Sequence, residues 1–269
     1  MNVAALLDKT AAIARRDLLT ALRYRTGALI AVAGAVAELA AFYYLSRAIG
    51  PAFRPDGLDY FPFVLVGTGF YTFLVMGISA FLGIVQEAQQ TGTLEILMTT
   101  ATPAPVLVFL SSMSAFAGNS LQLVFYLTAG LVLFGGLEHS PNILGCVVIF
   151  VLSLVIAIAI GILAAAVQLA IQKGSAVVWL LGSGIWFLTG TLFPVDTLPR
   201  PLRMVAELIP ITHCLNGMRL ALLQGADFST LGREVAILAL FSVILLPLSL
   251  LIFSYTLRRA RLEGTLSFY

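Results

Sequence analysis

The chain has 269 residues, of which 60% are hydrophobic and only 10% are charged. Soluble domains carry about a quarter charged residues, so this composition indicates an integral membrane protein. The net charge is +2 and the only lysines are Lys9 and Lys173, which argues against a nucleic-acid binder because such proteins need a dense basic surface.

The first 26 residues predict an amphipathic helix that lies along the cytoplasmic face of a membrane. Its basic positions Lys9, Arg16 and Arg23 recur every seven residues, while apolar residues line another face. The apolar stripe would lie in lipid, with the basic side chains toward the head groups. Such a helix either anchors the chain or transmits force, and the periodicity fits both.

The apolar runs predict six transmembrane helices, because about 20 residues without uncompensated charge are needed to cross the hydrocarbon layer. The basic residues that flank the first and last runs put both termini in the cytoplasm and require an even number of spans. After the last span, residues 258–269 are predicted to form a C-terminal tail in the cytoplasm. The predicted spans are 27–48, 60–85, 106–135, 143–171, 175–194 and 233–257.

Between the fifth and sixth runs, residues 197–224 predict a pair of short re-entrant half-helices. Each apolar piece is too short to cross a membrane, and Pro210 separates them. An ordinary loop outside the membrane is the alternative, and the run of Leu, Ile, Met and Val argues against it.

A polar segment interrupts the apolar chain between the second and third runs. Gly92 permits a turn, Glu95 suits the first turn of a following helix, and Leu94 and Leu97 give that helix an apolar side. A short amphipathic helix in a cytoplasmic loop is a natural docking element for a soluble partner. The alternative for such a loop is that it is simply solvated.

This segment resembles the signature of the type-2 permease family of ABC transporters. That signature has an acidic residue, a Gly-Thr-Leu-Glu turn and a Thr-Pro, matched here from Glu87 through Gly92-Thr93-Leu94-Glu95 and Leu97 to Pro103. A second stretch is similar to the Phe-Pro, Pro-x-Thr and Arg pattern that follows span five in the family. Its residues are Pro194, Pro210, Thr212 and Arg219. Asn216 stands near a position where the family often has Asp, which leaves a charge partner for Arg219 open.

The resemblance implies an all-α permease with a coupling helix at about 88–102, which seats in a separate ABC ATPase subunit. Two copies of that ATPase would bind ATP and Mg²⁺, and this chain would carry no cofactor, metal or catalytic residue of its own. Glu87 and Glu95 would make polar contacts to the ATPase, while Leu94 and Leu97 pack into its cleft. The family also forms dimers, so a second permease protomer is expected, with a homodimer favoured over a heterodimer. The chain contains no G-x-x-x-x-G-K-[ST] phosphate loop.

One acidic residue, Glu38, lies well inside a predicted span. An ionisable group there is costly, so it lines a substrate path or gate, forms a structural hydrogen bond to a neighbouring helix, or lies close enough to the outer surface to reach water. Trp186 and Phe187, beside small residues of span five, are expected near a substrate route between protomers. The aromatics of span two, Phe63, Phe70, Tyr71 and Phe73, could line this route as well, but contact with lipid or packing in the core is the expected role of most of them.

The residues and the resemblance together predict the membrane subunit of an ATP-driven exporter in a bacterial inner membrane. Its substrate would be amphipathic, such as a lipid-linked glycan, a drug or a lipid. The alternative is a secondary transporter driven by an ion gradient, which needs ion ligands at mid-membrane, and only Glu38 fits that role. An intramembrane enzyme has no support, because no HExxH, GxSxG or metal-ligand spacing occurs.

Overall fold

The fold is a bundle of long helices, with two short helices between the last two long apolar stretches. A computed structural model of the chain describes residues 25–91, 104–135, 139–171 and 179–263. Throughout these ranges every regular element is helical. In chain order the α-helices are α1 (Arg25–Ile49), α2 (Tyr60–Gln90), α3 (Ala104–Phe134), α4 (Ile143–Ile171), α5 (Trp186–Leu188), α6 (Arg200–Glu207), α7 (Pro210–Leu222) and α8 (Phe228–Glu263). A π-helical stretch, Leu180–Ile185, leads directly into α5.

Within the described ranges, five helices are long and apolar enough to cross a membrane. They confirm a multi-pass helical membrane protein and coincide with five of the predicted spans. The fifth predicted span, 175–194, lies partly outside the described residues. The part that is described contains the helical stretch that ends with α5. The count of six therefore stays a prediction. The five candidates are Leu29–Ile49, Tyr60–Gln90, Phe116–Phe134, Ile143–Ala170 and Phe228–Ala260.

The second helix is the centre of the bundle. It packs against α3, α4 and α7, and α4 packs in turn against α8. The four span-two aromatics are all buried, as their expected packing role requires. Phe73 stacks on Phe150 of α4 at 5.2 Å between ring centroids. On the side of α3, Gly77 allows a close approach, because a side chain there would strike the ring of Phe116.

The first helix lies at the edge of the bundle. Only 6% of its apolar stretch is buried, against 61% for α2, so most of its surface is left for lipid or another chain. A small apolar cluster of Leu39, Phe61, Leu65 and Tyr126 holds it against α2 and α3.

Two helix boundaries differ from those expected. Residues 88–90, assigned above to the coupling helix, are the end of α2, because its backbone hydrogen bonds run on until the Thr91 N–H caps the Glu87 carbonyl at 2.9 Å. At the other end of the chain, α8 continues through Arg258 to Glu263, so the predicted tail begins as helix. The interfacial helix up to residue 24, the rest of the coupling segment (92–102) and residues 264–269 lie outside the described residues.

Candidate functional site

The segment after α5 turns sharply and leads into two short helices. Gly190 adopts a positive φ of 76° at this turn, a conformation that favours glycine. The hydroxyls of Thr189 and Thr191 hydrogen-bond across the turn at 2.9 Å. Pro194 then begins a single 3-10 turn, and its carbonyl accepts a bond from the Thr197 hydroxyl at 2.7 Å.

The two short helices, α6 and α7, lie within residues 197–224, the segment predicted to hold a pair of half-helices. Pro210 stands at the first position of α7, where its missing N–H costs nothing and its fixed φ suits a helix start. The break between α6 and α7 is therefore encoded locally. That these helices enter the bilayer stays a prediction.

Arg219 of α7 joins three separate parts of the fold. Its guanidinium donates hydrogen bonds to the carbonyls of Phe63 (3.2 Å), Gly190 (2.8 Å) and Thr191 (2.9 Å). It also lies 3.6 Å from the centroid of the Phe63 ring, a cation–π geometry. The side chain is almost fully buried, with 3% exposed. One residue thus ties α7 to α2 and to the turn after α5.

The hydrogen-bond partners of Arg219, which Asn216 left open, are backbone carbonyls. Three carbonyl dipoles, rather than a hydrogen-bonded carboxylate, compensate the guanidinium charge. Room for it comes from Gly67, where an added Cβ would collide with the guanidinium and with the Thr191 carbonyl. The sequence reading missed Gly67, because nothing in the chain near residue 67 points to residue 219.

A polar cavity of about 260 Å³ lies beside Arg219, between α6, α7 and the start of α8. On its wall, His213 Nδ1 lies 2.8 Å from Glu234 Oε2, and Nε2 lies 2.9 Å from the Glu207 carbonyl. Since a carbonyl only accepts, Nε2 carries hydrogen, and a second proton must be shared between Nδ1 and the carboxylate. This pair fastens α7 to α8.

Exposed ion pairs and a loop acid complete the wall of this cavity. Arg203 bridges Asp196 at 2.7 Å and Glu207 at 3.0 Å. Asp56, in the loop between α1 and α2, has a positive φ of 52°. Burial raises the pKa of Asp56, and Asp196 adds to this, although Arg219 acts against it. Thr212 also lines the cavity and is buried, and its hydroxyl has no partner among the described residues.

Two open-sided cavities lie around Glu38, where α1 meets α2. The first, about 230 Å³, is formed with α3, and the second, about 380 Å³, reaches Trp186 of α5. The structure therefore brings together two of the residues predicted for a substrate path. Phe187 is half exposed and packs edge-on against Trp186, with ring centroids 5.0 Å apart. The sequence reading missed the polar residues of α3 that share the first cavity, Asn119 and Gln122.

The predicted coupling residues fall mostly outside the described part of the chain. Glu87 is described and is exposed in the last turn of α2. Gly92, Thr93, Leu94, Glu95 and Leu97 are not. Close to Glu87, the buried side-chain oxygen Oε1 of Gln89 accepts a 3.0 Å hydrogen bond from Nε2 of Gln168 in α4. This polar pair ties together the ends of α2 and α4 that adjoin the predicted coupling segment, and sequence patterning gave no sign of it.

Over the described ranges, no group of three His, Cys, Asp or Glu side chains could hold a metal ion. Cys146 and Cys214 are free thiols, the first half-buried in α4 and the second fully buried in α7.

One comparison with known proteins identifies the family. The protein-family model described as ABC-2 type transporter matches residues 8–223, which include α1 to α7 and leave α8 outside the match. No curated protein matches the chain. The match spans most of the sequence, including both motif regions and the Arg219 junction. The chain therefore belongs to the ABC-2 type transporter family, as a multi-pass membrane permease whose family membership implies association with an ABC ATPase.

Proposed function

We propose that this chain is the membrane subunit of an ATP-driven exporter of an amphipathic substrate, and that a separate subunit hydrolyses the ATP. The family match supports a role in transport. The absence of a phosphate-loop motif from this sequence supports ATP hydrolysis by another subunit. Two ATPase subunits would bind ATP and Mg²⁺, and this chain would itself be no enzyme.

The course of α2 is the observation that carries this proposal. Its 31 residues form one unbroken helix of about 45 Å, long enough to run from one side of a bilayer to the other. One end carries Glu87, next to the predicted coupling segment. The other end carries Phe63, whose carbonyl accepts a hydrogen bond from Arg219, and Gly67, which leaves space for the guanidinium. The cavities at Glu38 lie between these ends.

A rigid α2 would couple ATP hydrolysis to the substrate route. Movement of the coupling segment against the ATPase would tilt α2, and Arg219 would carry that tilt into α7 and the turn after α5. The walls of the Glu38 cavities would then shift relative to one another. Packed helices move by such small discrete shifts rather than by continuous bending.

The assembly and orientation follow from the same proposal. A bacterial inner membrane would hold the protein with both termini in the cytoplasm, as the basic residues at the two ends favour. The exposed surface of α1 and the half-exposed Phe187 leave room for a second protomer, and a homodimer is favoured over a heterodimer.

Affinity purification of the chain from its native membrane tests this function. We expect an ABC ATPase to co-purify, and Glu95→Arg to weaken that association at least about tenfold, because the charge reversal opposes the proposed docking contact. Asp227→Arg makes the same change in charge at the opposite side of the proposed topology and should leave the association intact. Accumulation of substrate by the isolated chain against a proton gradient would instead favour the secondary transporter.

A further inference from the structure

We propose that the two cavities at Glu38 bind the charged head of an amphipathic organic cation. This inference rests on the proposed function, since it names the class of substrate for the same route. It narrows the amphipathic cargoes expected above to positively charged ones.

Glu38 lies near the middle of the Leu29–Ile49 stretch, where a carboxylate costs at least about 2.5 kcal/mol on insertion scales. Across the described residues it forms no salt bridge, and the nearest arginine on its own helix, Arg47, contacts Tyr43 instead. Acidic residues placed in spans at such a cost often mark substrate or ion pathways.

The lining of the first cavity has one formal charge. Apolar and neutral polar residues line it together with Glu38, and no Lys, Arg or His is among the lining residues. A ligand head would therefore find one carboxylate for its charge and several amides and hydroxyls for its hydrogen bonds. The polar residues beside Glu38 are Thr72, Asn119, Gln122 and Tyr126.

The second cavity adds aromatic faces and a thioether to the same carboxylate. Tyr71, Met76 and Trp186 line it together with Glu38, and Met76 lines both cavities. Aromatic rings attract cations through their negative faces, and tryptophan does so best. Methionine adapts to ligands of varied shape. A carboxylate combined with these groups suits an organic cation that carries an apolar body.

The same chemistry disfavours the other cargoes. An anionic lipid or a phosphate-linked glycan would bring a like charge to Glu38 in a medium of low dielectric constant. A neutral glycan could use the amides, but the carboxylate would then remain without a partner. The cavity volumes of about 230 and 380 Å³ are near the lower end for ligand pockets, and the open sides leave an apolar body in contact with lipid.

Binding of tetraphenylphosphonium to the full chain in lipid nanodiscs tests the inference. Tetraphenylborate has nearly the same shape and the opposite charge, so Glu38 should repel it, and protein-free nanodiscs measure how much of each ion the lipid alone takes up. We expect the wild-type chain to prefer the cation, and Glu38→Gln to weaken cation binding at least about tenfold. Glu38→Asp keeps the charge and should keep the preference. Asp227→Asn, which removes an exposed carboxylate outside the cavities, should change nothing.

Two controls keep the outcome interpretable. Trp186→Leu leaves the charge unchanged and should weaken cation binding about threefold or more, since it removes only the aromatic face. Equal cation binding by wild type and Glu38→Gln would overturn the inference, as would a wild-type preference for tetraphenylborate after the uptake by protein-free nanodiscs is subtracted. Co-purification of the ATPase is measured on the same preparations. If the ATPase co-purifies and the cation preference is absent, the proposed substrate class is wrong. If the cation preference is present and no ATPase co-purifies, the result is evidence against the exporter function.

Discussion

Replacement of Arg219 tests whether the junction between α2, α7 and the turn after α5 holds the bundle together. Lysine keeps the positive charge but has one nitrogen in place of a planar fork. It cannot bond to the carbonyls of Phe63, Gly190 and Thr191 with the present geometry, and it loses the flat contact with the Phe63 ring. Alanine removes the charge as well as the bonds.

The expected loss of stability follows from the hydrogen bonds that the three carbonyls lose. A hydrogen bond to a charged group contributes about 1.5–3 kcal/mol, and a buried carbonyl left without a donor costs about 1–3 kcal/mol. Removal of the guanidinium also removes its own desolvation cost, which offsets part of the loss. For Arg219→Lys we therefore expect a loss of about 3 kcal/mol, and for Arg219→Ala about 3–5 kcal/mol.

Thermal unfolding in detergent, followed by size-exclusion chromatography of heated samples, measures this loss. For a chain of this size, 3 kcal/mol corresponds to a fall in Tm of about 6–12 °C. Arg233→Lys is the matched control, because Arg233 is exposed and lines the same polar cavity. Its Tm should stay within about 2 °C of wild type. A Tm for Arg219→Lys equal to that of the control would refute the reasoning.

Three further changes test the packing and the charges of the fold by the same thermal assay. Gly67→Ala forces a methyl group against the Arg219 guanidinium and should cost about 1–3 kcal/mol, whereas Gly83→Ala in the same helix meets open space and should stabilise by about 0.5–1 kcal/mol. Equal effects of the two would contradict the close contact at Gly67. Gln168→Leu leaves the Gln89 oxygen without that donor and should cost about 1–3 kcal/mol, and a Gln89→Leu, Gln168→Leu double variant should cost less than the sum of the single ones. Because burial raises the pKa of Asp56, its contribution to stability is lost as the pH rises through that pKa, so Asp56→Asn should raise Tm at about pH 7.5 but not at about pH 3.5. A gain of the same size at both pH values would count against this account.

The long helices were predictable from the sequence because each depends on a local property. A run of some 20 apolar residues without charge has to be helical in lipid, whatever surrounds it. The start of α7 was predictable for a similar reason, since Pro210 fixes a helix start through its own φ. The exact ends of α2 and α8 were less predictable, because helix-forming residues continue beyond the membrane-spanning stretch.

The contacts of the candidate sites were not predictable, because they join residues far apart in the chain. Arg219 bonds to a carbonyl 156 residues earlier, and backbone carbonyls carry no signature of their own in a sequence. The family pattern pointed to Arg219 but not to its partners. Glu38 stood out through its cost in a membrane, yet its neighbours on α3, Asn119 and Gln122, came only from the packing of helices.

Photocrosslinking from position 97 tests most directly whether a separate ATPase docks on the coupling segment. A benzoyl-phenylalanine in place of Leu97, irradiated in native membranes, should yield an adduct that is heavier by one ATPase subunit and identifiable by mass spectrometry. The same probe in place of Leu144, exposed at the opposite end of the bundle, should yield no such adduct. Absence of the ATPase adduct at position 97, or labelling of that position by an impermeant reagent from outside the cell, would contradict the account.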